Sequence, residues 1–187
     1  MKPVDKREHW LDHYYHAVPE DLREVSEKGA NIINIHHAHE QNPYINYLFY
    51  ETEKLTDFVD RCHENGIRAK LYYTVKEMTV HMTEFWSLKS LNEEVFPTAW
   101  EVGTSFQGSL PYADEWLERM LGKDFMMAWR QKINHGSYQD EIEASVVTAP
   151  MSRFNNYFLE GLRWLLENTG IDGLYFDDVA FDRSIMK

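Results

Sequence analysis

Three short segments of the sequence alternate apolar and polar side chains, and each follows a stretch with helical periodicity. They cover residues 31–36, 67–74 and 173–176. Because successive side chains of a strand point to opposite faces, each segment predicts a strand with two different faces. The apolar face carries Ile33, Ile35, Ala69, Leu71, Tyr73, Leu174 and Phe176. The polar face carries Asn34, His36, Lys70, Tyr72, Thr74, Tyr175 and Asp177.

The segments that precede these strands predict helices over residues 20–28, 52–65 and 152–168. Gly29 and Gly66 are expected to end the first two helices, and Thr52 is expected to cap the second. Helix–strand steps with short turns imply parallel strands. A doubly wound sheet is covered on both faces and should be apolar on both, whereas a barrel interior near its mouth can be polar. We therefore predict an α/β fold, a partial (β/α)8 TIM-type barrel with parallel strands.

The predicted domain is a single partial barrel over residues 1–187, with a loop-rich insertion at about 92–147. A helix is expected over 80–91, just before that insertion. The clear strands are too few for a closed eight-stranded barrel, which takes ~250 residues. Since a barrel strand needs a covering helix after it and the sequence ends soon after residue 177, we expect a fragment of a larger enzyme.

The charge balance narrows the choice of partner. The sequence has 31 acidic against 19 basic residues and a formal net charge of −12. Nucleic acids and anionic membranes demand a basic face, so neither is an expected partner. The N-terminus lacks the pattern of a signal peptide, and the single Cys62 allows no internal disulfide. The compartment stays open, a periplasmic or secreted parent enzyme included.

Three carboxylates are candidate catalytic residues. Asp177 and Asp178 follow directly on the last strand, where a barrel places its active-site groups, and Glu77 follows the second strand. Glycoside hydrolysis uses one carboxyl to protonate the leaving oxygen and a second group to stabilise or attack the oxocarbenium-like centre. Asp177 is predicted to be the stabilising or nucleophilic group, and Asp178 or Glu77 the general acid. A helix cap for Asp178 and a helix-start position for Glu77 are the structural alternatives.

A second set of residues has the composition of a sugar-binding site, because flat aromatic rings stand beside amides and charged groups at the predicted strand ends. The candidate substrate-binding residues are His36, His37, Asn42, Tyr44, Tyr47, Lys70, Tyr72, Arg153 and Tyr175. The same tyrosines would also suit an ordinary packed loop, so both interpretations stay open.

The run His36-His37-Ala38-His39-Glu40 also allows a metal-dependent hydrolase built on His36, His37, His39 and Asp177. Its spacing is not diagnostic, and histidines that bind hydrogen-bond partners or substrate are favoured. No metal and no cofactor is therefore predicted. A third possibility is a half-barrel that binds carbohydrate through Tyr44 and Tyr47 without cleaving it.

The chain resembles a family of uncharacterised glycoside-hydrolase-like barrels, common in gut Bacteroidetes and related to glycoside hydrolase family 123. The resemblance covers most of the chain. It is carried by Gly29-Ala30-Asn31-Ile32-Ile33-Asn34-Ile35-His36-His37, Asn42-Pro43-Tyr44-Ile45-Asn46-Tyr47, Lys70-Leu71-Tyr72-Tyr73-Thr74-Val75-Lys76-Glu77, Met151-Ser152-Arg153, and residues 170–187.

This resemblance implies a sugar-cleaving barrel within a larger protein that also has β-sandwich modules. Family 123 enzymes use an adjacent Asp-Glu pair with help from the N-acetyl group of the substrate. The corresponding pair here is Asp177-Asp178, whose second acid is shorter by one methylene. An open partial barrel would also expose the edges of its sheet, so we expect possible self-association through those edges.

Overall fold

The computed structural model describes residues 12–15, 21–91, 94–96, 127–134, 136–149 and 151–177. In these ranges the strands are β1 (Asp12–Tyr15), β2 (Ile32–Ile35), β3 (Arg68–Thr74), β4 (Glu77–Thr79), β5 (Met127–Lys132), β6 (Ile142–Val147) and β7 (Gly173–Asp177). The helices are α1 (Leu22–Glu27), α2 (Thr52–Glu64), α3 (Phe85–Lys89) and α4 (Arg153–Asn168). A short 3-10 turn covers Gly136–Tyr138.

One sheet is parallel and has the strand order β1-β2-β3-β7. β3 lies at its centre, with Leu71 opposite both Ile35 and Leu174. The same register places Tyr72 opposite Tyr175 and Thr74 opposite Asp177. The polar faces of β2, β3 and β7 therefore lie side by side, and the strand ends that carry them meet along one edge of the sheet.

Helices cover most of the apolar face of this sheet, as the alternation predicted, but Phe176 near the end of β7 is 37% exposed. α2 contributes the fully buried Leu55, Phe58, Val59 and Cys62. These side chains form one core with the sheet and with Leu162 and Leu165 of α4; its sheet residues are Ile33, Ile35, Ala69, Leu71 and Tyr73. Burying each large apolar side chain contributes roughly 1.5–3 kcal/mol, so this core is the main stabilising element of the parallel sheet.

The helix ends follow the sequence signals with one difference. Asp21 caps α1 by accepting a hydrogen bond from the Glu24 backbone N–H at 2.9 Å, and Gly66, at φ +70°, terminates α2. The N-cap of α2 is Glu51 rather than the expected Thr52. The Thr52 hydroxyl instead donates to the Leu48 carbonyl at 3.2 Å, one turn back, and the helix includes it.

A second sheet is antiparallel, with the order β4-β6-β5. The expected helix over 80–91 is reduced to α3, and the residues just before it form β4. Glu77–Thr79 extends because it pairs with Val147–Ser145 of β6, and this long-range pairing overrides the local helical pattern. The apolar face of the second sheet, with Met78, Ala144 and Val146, lies in a core of its own.

The amide of Asn46 joins the end of β3 to the start of β4. Its Nδ2 donates to the Glu77 carbonyl at 2.7 Å and to the Thr74 carbonyl at 3.0 Å. Its Oδ1 accepts from the Thr74 N–H at 2.9 Å. Asn46 has φ +56°, a left-handed conformation that asparagine tolerates better than most residues. The side chain thus fixes the bend at which the chain leaves the parallel sheet and enters the antiparallel one.

The described strands form no closed barrel, in line with the partial barrel predicted. Among the helices in the described ranges, none has the length and apolar character needed to span a membrane.

Replacing Phe58 by alanine should lower the free energy of unfolding by about 3–5 kcal/mol, because the cavity left between α2 and the sheet cannot fully collapse. Urea denaturation followed by circular dichroism measures the change. Asp60→Ala, on the exposed side of the same helix, is the control and should shift stability by less than about 0.5 kcal/mol. Equal effects of the two substitutions would contradict the packing described for α2.

Candidate active site

The site lies at the carboxyl-terminal edge of the parallel sheet and is centred on Asp177. Asp177 is the last residue of β7 and is half-buried. The Tyr72 hydroxyl, from the neighbouring strand, donates a hydrogen bond to Asp177 Oδ2 at 3.1 Å. Because Tyr72 is only 6% exposed, its ring is held by packing and the hydrogen bond orients the carboxylate.

Two further aromatic rings pack against Tyr72, the residue that holds this carboxylate. The His36 ring lies 4.1 Å from the Tyr72 ring, and the Tyr175 ring lies 5.5 Å from it on the other side. These three side chains come from β3, β7 and the residue that follows β2. Lys70, one step deeper on β3, places its ammonium 6.0 Å from the centre of the Tyr175 ring, within cation–π distance.

The floor of this polar face is buried. Asn34 is 5% exposed, and its Oδ1 has no hydrogen-bond partner among the described residues. Asn34 lies opposite Lys70 in the register of β2 and β3. A buried acceptor without a partner is rare in folded proteins, and such groups are often found in sites where a ligand or water supplies the donor.

Trp129 of β5 connects the second sheet to the site. Its indole stacks on the His37 ring with 4.6 Å between centroids and an interplanar angle of 30°. The His37 ring lies 4.2 Å from His36 and 5.4 Å from Tyr72. A continuous row of rings therefore runs from Trp129 to the tyrosine that holds Asp177.

Glu77 lies in β4, behind Trp129, and is 5% exposed. Its Oε2 accepts hydrogen bonds from Trp129 Nε1 at 2.6 Å and from the Ser145 hydroxyl at 3.2 Å. These residues share one face of the antiparallel sheet, because Trp129 pairs with Ser145 and Ser145 pairs with Thr79, two residues after Glu77. The interpretation of Glu77 as the start of a helix is wrong.

A second carboxyl group, Glu143, is fully buried on the same face. It accepts hydrogen bonds from the Ile45 N–H at 3.0 Å and the Thr79 hydroxyl at 3.1 Å, and His81 Nε2 lies 3.8 Å away. Burial, together with the nearby charge of Glu77, raises the pKa of Glu143 well above its usual range. Of this pair of carboxyl groups, Glu143 is therefore the one whose protonated form burial favours.

The loop after β2 is packed into the second core. Asn42 is fully buried, and Tyr44 and Tyr47 are each 5% exposed. The Tyr44 hydroxyl donates to Glu141 at 2.5 Å, and the Tyr47 hydroxyl donates to the Thr83 hydroxyl at 3.3 Å. A role for these three residues in binding a sugar stays a prediction.

The remaining candidates fall in different places. Arg153 is the first residue of α4, and its Nε lies 3.2 Å from a Glu94 carboxylate oxygen. His39 is buried and forms a bridge with Asn42. Asp178 lies outside the described residues. Within those residues, no group of three or more histidine, cysteine, aspartate or glutamate side chains is placed to hold a metal ion.

The sequence-based candidates did not include Trp129 and Glu143. A usable signal was present in the Ile-Glu-Ala-Ser-Val-Val run at 142–147, where polar and apolar residues alternate and a glutamate occurs among strand-forming residues. That alternation predicts a strand whose polar face must find partners, since a buried carboxyl group needs hydrogen bonds.

A parallel sheet that is covered by helices on one face and gathers a carboxylate and aromatic rings at its carboxyl-terminal edge places the chain in the (β/α)-barrel class. The family model described as glycoside hydrolase 123, TIM-barrel domain, matches residues 5–187, and the chain belongs to this family. The match confirms the predicted barrel fold and the resemblance to family 123. No curated protein matches the chain.

The buried Glu143 predicts a specific dependence of stability on pH. Its pKa is higher in the folded than in the unfolded chain, so the unfolded chain binds fewer protons above pH 4.5 and the free energy of unfolding falls as pH rises. The slope for one such group is at most about 1.4 kcal/mol per pH unit.

The glutamine in Glu143→Gln cannot ionise and keeps an acceptor for the Ile45 N–H. The free energy of unfolding of this variant should therefore fall less steeply as pH rises. Thermal unfolding between about pH 5 and about pH 8 measures it. Glu53→Gln, on the exposed side of α2, is the matched control and should retain the pH dependence of the original chain. A variant that declines as steeply as the original would show that Glu143 is not the group responsible.

Proposed function

We propose that the chain is the catalytic barrel of a glycoside hydrolase, with Asp177 as the carboxylate that stabilises the positive charge at the anomeric carbon. The hydrogen bond from Tyr72 to Asp177 carries this proposal. It orients a half-buried carboxylate at the carboxyl-terminal edge of the parallel sheet, where enzymes of this fold place their catalytic groups. Family membership supplies the reaction class.

The rings of His36, Tyr72 and Tyr175 suit a sugar substrate. A pyranose presents weakly positive C–H groups on its faces and hydroxyl groups around its edge. Aromatic faces attract the C–H groups, and groups such as the Lys70 ammonium and the Asn34 amide can bind the hydroxyl groups. These side chains lie on one face of three neighbouring strand segments, beside the proposed catalytic carboxylate.

For the general acid we favour Asp178 over Glu77. Hydrogen bonds donated to a carboxylate favour its charged form, and Glu77 accepts two of them on one oxygen. A group held in this way is poorly suited to release a proton to the leaving oxygen. Asp178 follows Asp177 directly, as the second member of the acidic pair of family 123 does.

We further propose that the N-acetyl group of the substrate takes part in the reaction. In this step the acetamido oxygen attacks the anomeric carbon as the bond to the leaving oxygen breaks, and Asp178 protonates that oxygen. Asp177 stabilises the positive charge that develops on the acetamido group. Water then attacks the anomeric carbon as the bond between that carbon and the acetamido oxygen breaks, which regenerates the acetamido group. The attacking water gives a proton to the Asp178 carboxylate, and the enzyme returns to its starting state.

Two asparagine variants separate these roles. Asp177→Asn should lower kcat/KM by about 10²–10³-fold for every leaving group, because the developing charge loses its counter-ion. Asp178→Asn should lower it by about 10²–10⁴-fold for poor leaving groups, yet far less for an aryl leaving group that departs without protonation. Initial rates on aryl glycosides with graded leaving groups give both values.

Asp60→Asn, an exposed aspartate on α2, serves as the matched control. A loss that depends on the leaving group in Glu77→Gln, and not in Asp178→Asn, would contradict the assignment of the acid. Sugar binding that survives in Asp177→Asn, with no sugar released by either form of the chain, would instead support the non-catalytic half-barrel.

A pair of aryl glycosides tests assistance by the substrate. If the acetamido oxygen is the nucleophile, the 2-acetamido sugar should be cleaved at least about 10³-fold faster than its 2-hydroxy counterpart, because only the former carries an internal nucleophile. Colorimetric release of the aryl alcohol measures both rates. Comparable rates would indicate that an enzyme carboxylate attacks the sugar directly.

A further inference from the structure

Glu77 and Trp129 form a pair that the proposed reaction does not use. Their hydrogen bond, at 2.6 Å between Trp129 Nε1 and Glu77 Oε2, joins the outer strands β4 and β5 across β6. This is a short, charge-assisted bond, and such bonds are about twice as strong as those between neutral groups. The bond therefore holds the Nε1 edge of the Trp129 indole in one position.

Because Glu77 is buried, its hydrogen bond restricts the Trp129 indole to one position. Glu77 is 5% exposed, and a buried carboxylate is costly unless donors surround it. Trp129 Nε1 and the Ser145 hydroxyl both donate to its Oε2. Burial raises the pKa of the neighbouring Glu143 and so favours its uncharged form. Moving the indole away would remove the closer of these donors from the Glu77 carboxyl group.

The position of Trp129 connects its hydrogen bond with Glu77 to the candidate active site. One face of its ring rests on His37, which in turn contacts His36 and Tyr72. Trp129 is half-buried, so part of this residue is accessible to solvent. The row ends at Asp177 through the Tyr72 hydroxyl. Through His37 and Tyr72, Trp129 is thus connected to the carboxylate at which a sugar would bind.

We infer that Trp129 is a sugar-stacking platform of the active site and that Glu77 is the positioning residue that holds it in place. This inference rests on the proposed function of the Asp177 site. Glu77 then governs how tightly the sugar is held and takes no part in proton transfer. The antiparallel sheet supplies the platform, Trp129, whereas the parallel sheet supplies the proposed catalytic carboxylate, Asp177.

Nuclear magnetic resonance tests the platform without requiring turnover. The chain has six tryptophans, and Trp129→Phe identifies the indole N–H signal of Trp129 by its loss. In the original chain this signal should lie downfield because it is bonded to a carboxylate, and Glu77→Gln should move it upfield. Titration with N-acetylglucosamine or N-acetylgalactosamine should shift the Trp129 signal in both the original chain and Asp177→Asn.

Kinetics test the positioning role. Glu77→Gln keeps an acceptor for the indole N–H, so kcat/KM should fall by no more than about threefold, with an unchanged pH profile. Trp129→Phe and Glu77→Leu should each raise KM by about tenfold and change kcat by less than about threefold. If Glu77 acts only through Trp129, the double variant Glu77→Leu/Trp129→Phe should be no worse than either single one.

Glu53→Gln is the matched control for folding and activity, and thermal unfolding checks that every variant is folded. A large fall of kcat in Glu77→Gln, or additive losses in the double variant, would overturn the positioning role while leaving glycoside hydrolysis in place. No hydrolysis by any form, with the Trp129 signal still shifted by sugar, would contradict the proposed reaction and support the platform. If neither sugar shifts the indole N–H signal of Trp129, the platform is overturned.

Discussion

The hydrogen bonds of one amide, that of Asn46, determine how the two sheets meet. They join the last residue of β3 to the first residue of β4, and the backbone makes this possible by adopting a left-handed conformation at Asn46. Glycine could adopt the conformation and would lack the amide, whereas aspartate would keep one acceptor and lose the donors. Because β4 begins at this bend, the place of Glu77, and through it the indole of Trp129, depends on these bonds.

The two sheets contribute different properties to the site. The parallel sheet supplies Asp177 and the rings of Tyr72 and Tyr175 from strands whose register is fixed by pairing on both sides of β3. The antiparallel sheet supplies a buried face of polar groups, which includes Glu77 and Glu143, and burial raises the pKa of Glu143 well above its usual range. Buried polar groups of this kind are favourable only when each is hydrogen-bonded, so they specify one arrangement of β4, β5 and β6.

Much of the parallel sheet could be predicted from the sequence because its signal is local. Alternation at residues 31–36, 67–74 and 173–176 fixes which side chains share a face, and glycines such as Gly66 mark the helix ends. Glu77 could not be placed in this way, because its strand exists only through pairing with residues about 70 positions later. For the same reason the contact between Trp129 and His37 has no signature in either local segment. The aromatic content of the loop at 42–47 was visible, but its burial in a core depends on Glu141 and Glu143, which are distant in sequence.

The separation of the hydrogen-bonded ladders has an evolutionary consequence. No strand of the described part of the chain is shared between the parallel and the antiparallel sheet. Substitutions along β5 and β6 can therefore accumulate without altering the register that places Asp177 beside Tyr72. Under the roles proposed for Asp177 and Trp129, a lineage that keeps β3 and β7 unchanged could change its range of sugars by substitutions in the second sheet. Substrate range and reaction chemistry would then be inherited through different strands of one domain.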